Sequence, residues 1–357
     1  MALTVLQVAY PFAPVSPDSV GGAEQILLAC DRAVVAAGHR SIVIACKGSQ
    51  VAGELVCVPR TARPDDTSAR AVAHANHKRA IEAAISRFSV DLVHCHGIDF
   101  AAYLPAEGAD VLITLHLDPA SYAETALATK RVGMFFNCVS QSQQARCPTS
   151  PSLLAPITNG VDVERLWPDP WACRTHALAL ARICPEKGIH LAIEAAKRAD
   201  TDLVIAGEVF PYAEHERYFA NEVQPRLDSR RVFVGAVGFE AKRKLMQTAR
   251  CLLVPSVIDE TSSLVAMEAL ACGTPVIGFR RGALAEIVES GVTGALVDNV
   301  DEMTGAITNA GSFQMAACAS AAVRRFSAVR MTGEYIRVYE TLGADRSARG
   351  DIQRAAS

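Results

Sequence analysis

The 357-residue chain has no apolar run approaching the 18 or more residues of a membrane-spanning helix. Met1 to Val8 has neither the basic start nor the cleavage site of a secretory signal, so a soluble, cytoplasmic protein is expected. Charge of one sign is also missing. The 12 Lys/Arg of residues 1–160 face 13 Asp/Glu, and the 23 beyond face 25, so neither half has the basic surplus of a nucleic-acid or anionic-membrane binder. No C-x-x-C pair occurs among the 11 cysteines. Those at Cys46, Cys95, Cys138 and Cys251 sit in apolar runs, which fits reduced, buried thiols better than disulfides or zinc. Three further absences narrow the chemistry. There is no G-x-G-x-x-G dinucleotide fingerprint, Asp91, Asp99 and Asp118 stand apart rather than forming an acidic metal cluster, and no residue looks like a dedicated nucleophile.

With half the residues hydrophobic and a fifth charged, the composition is globular, and the length suits two domains of roughly 150 to 200 residues. Strand and helix patterns alternate from the start. Thr4 to Tyr10 is an apolar strand, followed by prolines 11, 14 and 17 and then a helix opened by Gly21-Gly22-Ala23-Glu24 and running to about Ala37. Strands follow at His39 to Cys46, Leu55 to Pro59, Asp91 to His96, Val111 to His116 and Phe135 to Ser140. A long helix from Asp65 or Asp66 to about Phe88 carries a polar face with Arg70, His74, His77, Lys78 and Arg79. Residues 148–175, with the turn Asn159-Gly160-Val161-Asp162, read as the crossing between domains. A second alternating set then begins, with strands at His176 to Ala181, Asp202 to Ala206, Arg231 to Val234, Cys251 to Pro255 and Thr293 to Val297. Helices are expected from Lys187-Gly188 to about Ala199, over Arg217 to Leu227, over Glu240 to Ala249 and over Ala283 to Ser290. Such alternation means parallel sheets covered by helices on both faces, and the default active site is a cleft between the two domains.

Ligands of parallel sheets sit beyond the carboxyl ends of the strands, where Tyr10, His96, His116 and Ser140 fall; each could equally be a capping or hydrogen-bonded loop residue. The pair His94 and His96 shares one strand face, but no third metal ligand of sensible spacing accompanies it. The most informative stretch is Ser256 to Gly278, which reads as loop, helix, turn and strand. Glu260 precedes the helix and Glu268 lies within it, amid apolar neighbours where an unpartnered charge is costly. Thr261, Ser262 and Ser263 are N-cap candidates, and the backbone N–H groups at such a helix start can meet an anion. That is a place to hold a diphosphate.

Four motifs in order, Gly21-Gly22-Ala23-Glu24, Asn159-Gly160-Val161-Asp162, Arg182 through Glu186-Lys187-Gly188, and the Glu260 to Glu268 stretch, resemble the family-4 retaining glycosyltransferases of GT-B fold. The resemblance covers about residues 1–342. It implies an α/β protein of GT-B architecture, two tandem Rossmann-like parallel-sheet domains facing a central cleft. Residues 1–160 would bind the acceptor and 161–320 the nucleotide sugar; 321–342 would be a helix crossing back to the first domain, and 343–357 is expected to be a disordered tail. The implied reaction moves a hexose-type sugar from a nucleoside-diphosphate sugar, most simply a UDP-sugar, with retention and without a metal. The donor phosphate itself takes the acceptor's proton. Arg182 and Lys187 would receive the charge of the leaving diphosphate, with backbone N–H groups at Gly22 and at Ser262 to Leu264 adding uncharged donors. By the same resemblance Glu268 accepts from the ribose hydroxyls and Glu260 faces the transferred sugar. His116 stands beside the reacting sugar, and Ser140 and Asn159 match positions near the cleft. Ser262-Ser263 departs from the family, many members of which have Phe-Gly there.

Two other readings stay open: an NAD-dependent oxidoreductase with tandem Rossmann domains, against which the missing glycine fingerprint counts, and a catalytically silent nucleotide-sugar-binding homologue. No cofactor is expected beyond the nucleotide sugar as co-substrate. The acceptor, whether small molecule, glycan or lipid-linked, has no motif of its own. Lys78 and Arg79 leave peripheral membrane contact open, though one basic cluster on a neutral domain usually marks a solvated face.

Overall fold

Strands covered on both faces read as unbroken apolar runs because neither face meets water. Every such run named above is a parallel strand in the computed structural model, which describes residues 2–19, 21–61, 66–106, 108–128 and 131–355. The chain forms two compact units, Met1–Asn159 with Val329–Ser357, and Gly160–Ala328.

Unit 1 contains β1 (Thr4–Val8), β2 (Arg40–Cys46), β3 (Glu54–Val58), β4 (Leu92–Cys95), β5 (Asp110–Leu115) and β6 (Met134–Cys138), in the order β3-β2-β1-β4-β5-β6. All pairings are parallel, with Val8 registered against Ile44 on one side and Cys95 on the other. Its helices are α1 (Gly22–Ala36), α2 (Thr67–Arg87) and the short α3 (Glu124–Leu127) and α4 (Gln141–Gln144). Asp66 caps α2, its carboxylate accepting from the N–H groups of Ser68 and Ala69; Asp65, the other candidate start, lies outside the described residues. The polar face expected on α2 is only partly solvated. Ala73, His77, Ile81 and Ala84 recur at helical spacing and are buried, so His77 belongs to the core stripe, while Lys78 and Arg79 are exposed. His74 is tied to Asp99 at 2.6 Å. Polar residue type hid an inward-facing position.

Unit 2 repeats the topology. Its strands β7 (His176–Leu180), β8 (Leu203–Ala206), β9 (Arg231–Phe233), β10 (Ala249–Val254), β11 (Val276–Phe279) and β12 (Gly294–Val297) lie in the order β12-β11-β10-β7-β8-β9, all parallel. Renumbered from β7, this is the arrangement of unit 1. Between the strands run α5 (Ile189–Arg198), α6 (Ala213–Tyr218), α7 (Phe239–Thr248), α8 (Leu264–Ala271) and α9 (Leu284–Ile287), followed by α10 (Val300–Thr308) and α11 (Met315–Phe326). Two helices depart from expectation. The one expected over Arg217 to Leu227 starts earlier, at Ala213, and widens into a π-turn over Phe219–Val223 ahead of Pro225, which has no N–H to donate to a regular turn. The one expected over Ala283 to Ser290 closes after Ile287, because Val288 is already extended.

Ser327 takes an extended conformation and separates α11 from α12 (Ala328–Ala355). Tyr335 and Tyr339 of α12 are fully buried in unit 1. The Tyr335 hydroxyl lies 3.1 Å from that of Thr114 and accepts from the Asn137 amide at 3.2 Å, and the Tyr339 hydroxyl is 2.8 Å from Nδ1 of His94. The disordered tail expected from residue 343 is instead a continuation of this helix to Ala355. Its polar composition misled, because one of those polar side chains has fixed acceptors: the Arg346 guanidinium donates to the carbonyls of Val90, Asp91 and Gly108 at 2.8 to 2.9 Å. Gly343 sits where a Cβ would stand 2.8 Å from Leu3.

Replacing Tyr339 with Ala removes a buried ring and leaves Nδ1 of His94 without its partner. The urea midpoint should fall by the equivalent of about 3 kcal/mol or more; an unchanged midpoint would show that α12 does not stabilise unit 1.

Candidate active site

In each sheet the strand order reverses once, between β1 and β4 in unit 1 and between β7 and β10 in unit 2. There the chains leaving neighbouring strands turn to opposite sides and open a crevice at the carboxyl ends.

In unit 2 the two loops at this point are pinned together. Val257 N–H, after β10, donates to the carbonyl of Glu186, after β7, at 2.9 Å. Gly188, at φ +60°, packs so closely on the same loop that a Cβ would lie 2.2 Å from the Pro255 carbonyl oxygen. Lys187 ends a 3₁₀ turn, Pro185–Lys187, and its ammonium meets Oε1 of Glu260 at 2.6 Å. Ser256 donates its hydroxyl to the same oxygen. The Glu260 backbone is fixed from the other side: its carbonyl accepts from Ala283 N–H at 2.7 Å, and Gly282, at φ +52°, comes so near that a Cβ would stand 2.3 Å from that carbonyl. Glu260 is only 6 % exposed, so its charge is held by a lysine, a hydroxyl and little water.

The chain then enters α8 through Ser263, the N-cap among the three candidates. Its hydroxyl makes no capping bond, so the first helical N–H groups are not consumed by that side chain. Glu268, also 6 % exposed, is paired with Lys242 of α7 at 2.5 Å. Lys242 was not singled out from the sequence. The signal was nonetheless present, since a carboxylate in an apolar helix requires a cation and α7 carries Lys242, Arg243 and Lys244 just before it. Arg174 was missed too: it donates to the carbonyls of Ala249 and Cys272 at 2.9 and 3.0 Å and to the Thr274 hydroxyl at 2.6 Å, holding the C-terminal end of α8 against β10. Arg182, immediately beyond β7, is exposed, its guanidinium carbon 5.6 Å from the centroid of the Phe210 ring. Unit 2 therefore collects Arg182, Lys187, Glu260, Thr261, Ser262, Ser263, Leu264 and Glu268 on the loops and helices that follow β7 and β10. One group of three metal-capable side chains also occurs among the described residues of this unit, Cys184, Glu186 and His215. Sequence spacing concealed it, because His215 lies on the other side of β8.

Gly22 and His116 belong to unit 1. Gly22 is the first residue of α1, and the Glu24 carboxyl folds back over this helix start: a Cβ on Gly21 would stand 1.9 Å from its Oε2. Burial raises the pKa of Glu24, against a smaller lowering by a backbone N–H. His116 follows β5, its backbone N–H donating to the Tyr122 hydroxyl at 2.9 Å and its Nε2 lying 3.1 Å from Nδ1 of His96. His94 is satisfied by Tyr339 and, at 2.8 Å, by Thr114, so the H-x-H pair is a hydrogen-bonded core feature. Ser140 caps α4, accepting from Gln143 N–H at 3.2 Å. All eleven cysteines are free thiols; the four singled out above are buried, whereas Cys57 and Cys173 are exposed. No described helix is long and apolar enough to cross a membrane.

Residues 174–311 match the family described as Glycosyl transferases group 1. Lipopolysaccharide 1,2-N-acetylglucosaminetransferase of Salmonella typhimurium is 30 % identical over 131 residues, 34 % of either chain. The chain thus spans about a third of the length of this curated relative. The crystal structure of AviGT4, a glycosyltransferase involved in avilamycin A biosynthesis, is 25 % identical, covers 96 % of this chain and 98 % of its own, and superposes with a TM-score of 0.70. The Anabaena protein Alr3699/HepE in complex with UDP-glucose, 18 % identical over 95 % of this chain and all of its own, has a TM-score of 0.72 and shares the fold.

The histidines of unit 1 predict an acid response. Desolvation pulls His77 down to about 4, His94 to about 3 and His116 to about 4, from an ordinary 6.5. Below pH 6.5 the unfolded chain binds these protons first, so the stability they permit is complete above 6.5 and is lost as pH falls toward 4. The urea midpoint should drop between pH 7 and 5, and drop less in His94→Gln; equal losses in both proteins would remove His94 as a cause.

Proposed function

We propose that this chain, whose residues 174–311 match the glycosyl transferases group 1 family and which has the GT-B fold, transfers a hexose-type sugar from a nucleoside-diphosphate sugar to an acceptor, with retention and without a catalytic metal. The observation that carries this reading is the Lys187–Glu260 pair at the switch point of unit 2, next to the start of α8. A departing nucleoside diphosphate gains charge on its phosphate. The Lys187 ammonium has three donors and spends one on Glu260, leaving two for phosphate oxygens. Arg182 adds a fixed cation, and the α8 amides from Ser262 to Leu264 add uncharged donors.

Glu268 gives one oxygen to Lys242 and keeps the other for the ribose hydroxyls, while Glu260, similarly half-committed to Lys187 and Ser256, takes the hydroxyls of the sugar. From unit 1 the same reading takes the Gly22 amide and His116 as further contacts of the ligands, and assigns that unit the acceptor. UDP is the proposed nucleotide, supported by the UDP-glucose held in the HepE structure of the same fold. With two cations at the diphosphate, no divalent ion is needed to receive the leaving charge, and the β-phosphate takes the acceptor proton on the face the acceptor approaches. A reducing cytoplasm is the proposed compartment, in keeping with eleven free thiols.

A panel of nucleotide sugars incubated with cell extract, read by product mass and anomeric configuration, tests the reading. A transferred sugar keeping the donor's anomeric configuration is expected; inversion, or donor binding without turnover, would overturn it. Lys187→Ala should lower kcat/KM by about 100-fold or more, and Glu268→Gln should act mainly by raising the donor KM. Activity should persist without added Mg²⁺ or Mn²⁺, and strict dependence on either would return the diphosphate charge to a metal.

A further inference from the structure

Beside the donor loops, but using none of their proposed ligands, unit 2 gathers a thiol, a carboxylate and an imidazole. Cys184 and Glu186 flank Pro185 after β7, and His215 projects from α6; one ligand atom from each lies within 4.8 Å of the others. Cys184 is fully buried and His215 is only 8 % exposed. Two atoms of the group are buried without a hydrogen-bond partner, Oε2 of Glu186 and Nδ1 of His215. Such buried orphans are costly, and native structures rarely leave two in one cluster without a missing occupant. Neighbouring rings hold the imidazole in place, Phe210 stacked at 6.2 Å between centroids and Tyr212 edge-on at 5.2 Å.

We propose that Cys184, Glu186 and His215 bind a zinc ion, with the fourth position taken by water. The donor set of one soft sulfur, one imidazole nitrogen and one carboxylate oxygen is the kind that zinc accepts and that magnesium or calcium does not. Zinc bond lengths place tetrahedral ligand atoms about 3.5 Å apart, so modest side-chain rotation within the 4.8 Å envelope completes the site. Thiolate and carboxylate cancel the ion's two charges, so with the thiol proton released to solvent the loaded site beside Arg182 is neutral. The ion is a clamp: it fastens the loop that carries Arg182 and Lys187 to α6, where otherwise one carboxylate oxygen of Glu186 and Nδ1 of His215 would stand without partners. Sugar transfer does not pass through it.

The test uses the full chain, stripped of metal and titrated with Co²⁺, which occupies zinc sites and reveals a thiolate ligand by charge-transfer absorption. The proposal expects that band to saturate at one equivalent and to be displaced by Zn²⁺. Cys184→Ser should abolish it, and Glu186→Gln and His215→Ala should each weaken Co²⁺ binding at least about 10-fold. No band at stoichiometric Co²⁺, or an undiminished band in folded Cys184→Ser, would overturn the site. Should Cys184→Ser fail to fold, Glu186→Gln decides: unchanged Co²⁺ affinity in that variant refutes the proposal.

Discussion

Lys187 and Glu260 meet because β7 and β10 are hydrogen-bonded neighbours whose chains continue to opposite sides of the sheet. That reversal is a property of the backbone, and the buried polar cluster around Glu260 hangs from it. An almost fully buried carboxylate is tolerable only when a cation and further donors reach it, and here the cation arrives on one loop and the Ser256 hydroxyl on the other. Breaking either loop's position would leave a buried charge unpaired. The two glycines at positive φ, Gly188 and Gly282, are what allow the backbones to come close enough.

A second buried pair extends the same logic one helix further. Glu268 faces inward from a helix that is otherwise apolar, and Lys242 of α7 completes it, while Arg174 ties down the far end of that helix. Both carboxylates thus keep one oxygen occupied by protein. Each acid is thereby held in one orientation by the protein itself. Unit 1 shares the strand order but not this chemistry; the ends of β4 and β5 carry neutral histidines bonded to each other and, through His94, to the tyrosine of α12.

Much of this was legible beforehand. Parallel strands announce themselves as apolar runs, and helix starts at Gly22 and Asp66 carry their own signals. The stretch from Ser256 to Gly278 identified both acids and the helix between them. What escaped was partnership across sequence. Residue type puts His77 on a polar face, yet its helical phase with Ala73, Ile81 and Ala84 places it in the core. The polar composition after Gly343 predicts disorder, whereas the chain there is helical to Ala355 and Arg346 finds three carbonyls contributed by distant loops.

The sequence by itself determined the alternation of strand and helix, the parallel sheets and the residue types available at the strand ends, since periodicity and caps are local properties of consecutive residues. Tertiary structure alone decided that Lys187 binds Glu260, that Lys242 binds Glu268, and that Cys184, Glu186 and His215 converge. Each of those meetings depends on strand order and on loops hydrogen-bonded across the sheet, and the energy of a buried charge or a shared ion depends on which groups stand within a few ångströms, a distance that spacing along the chain does not encode.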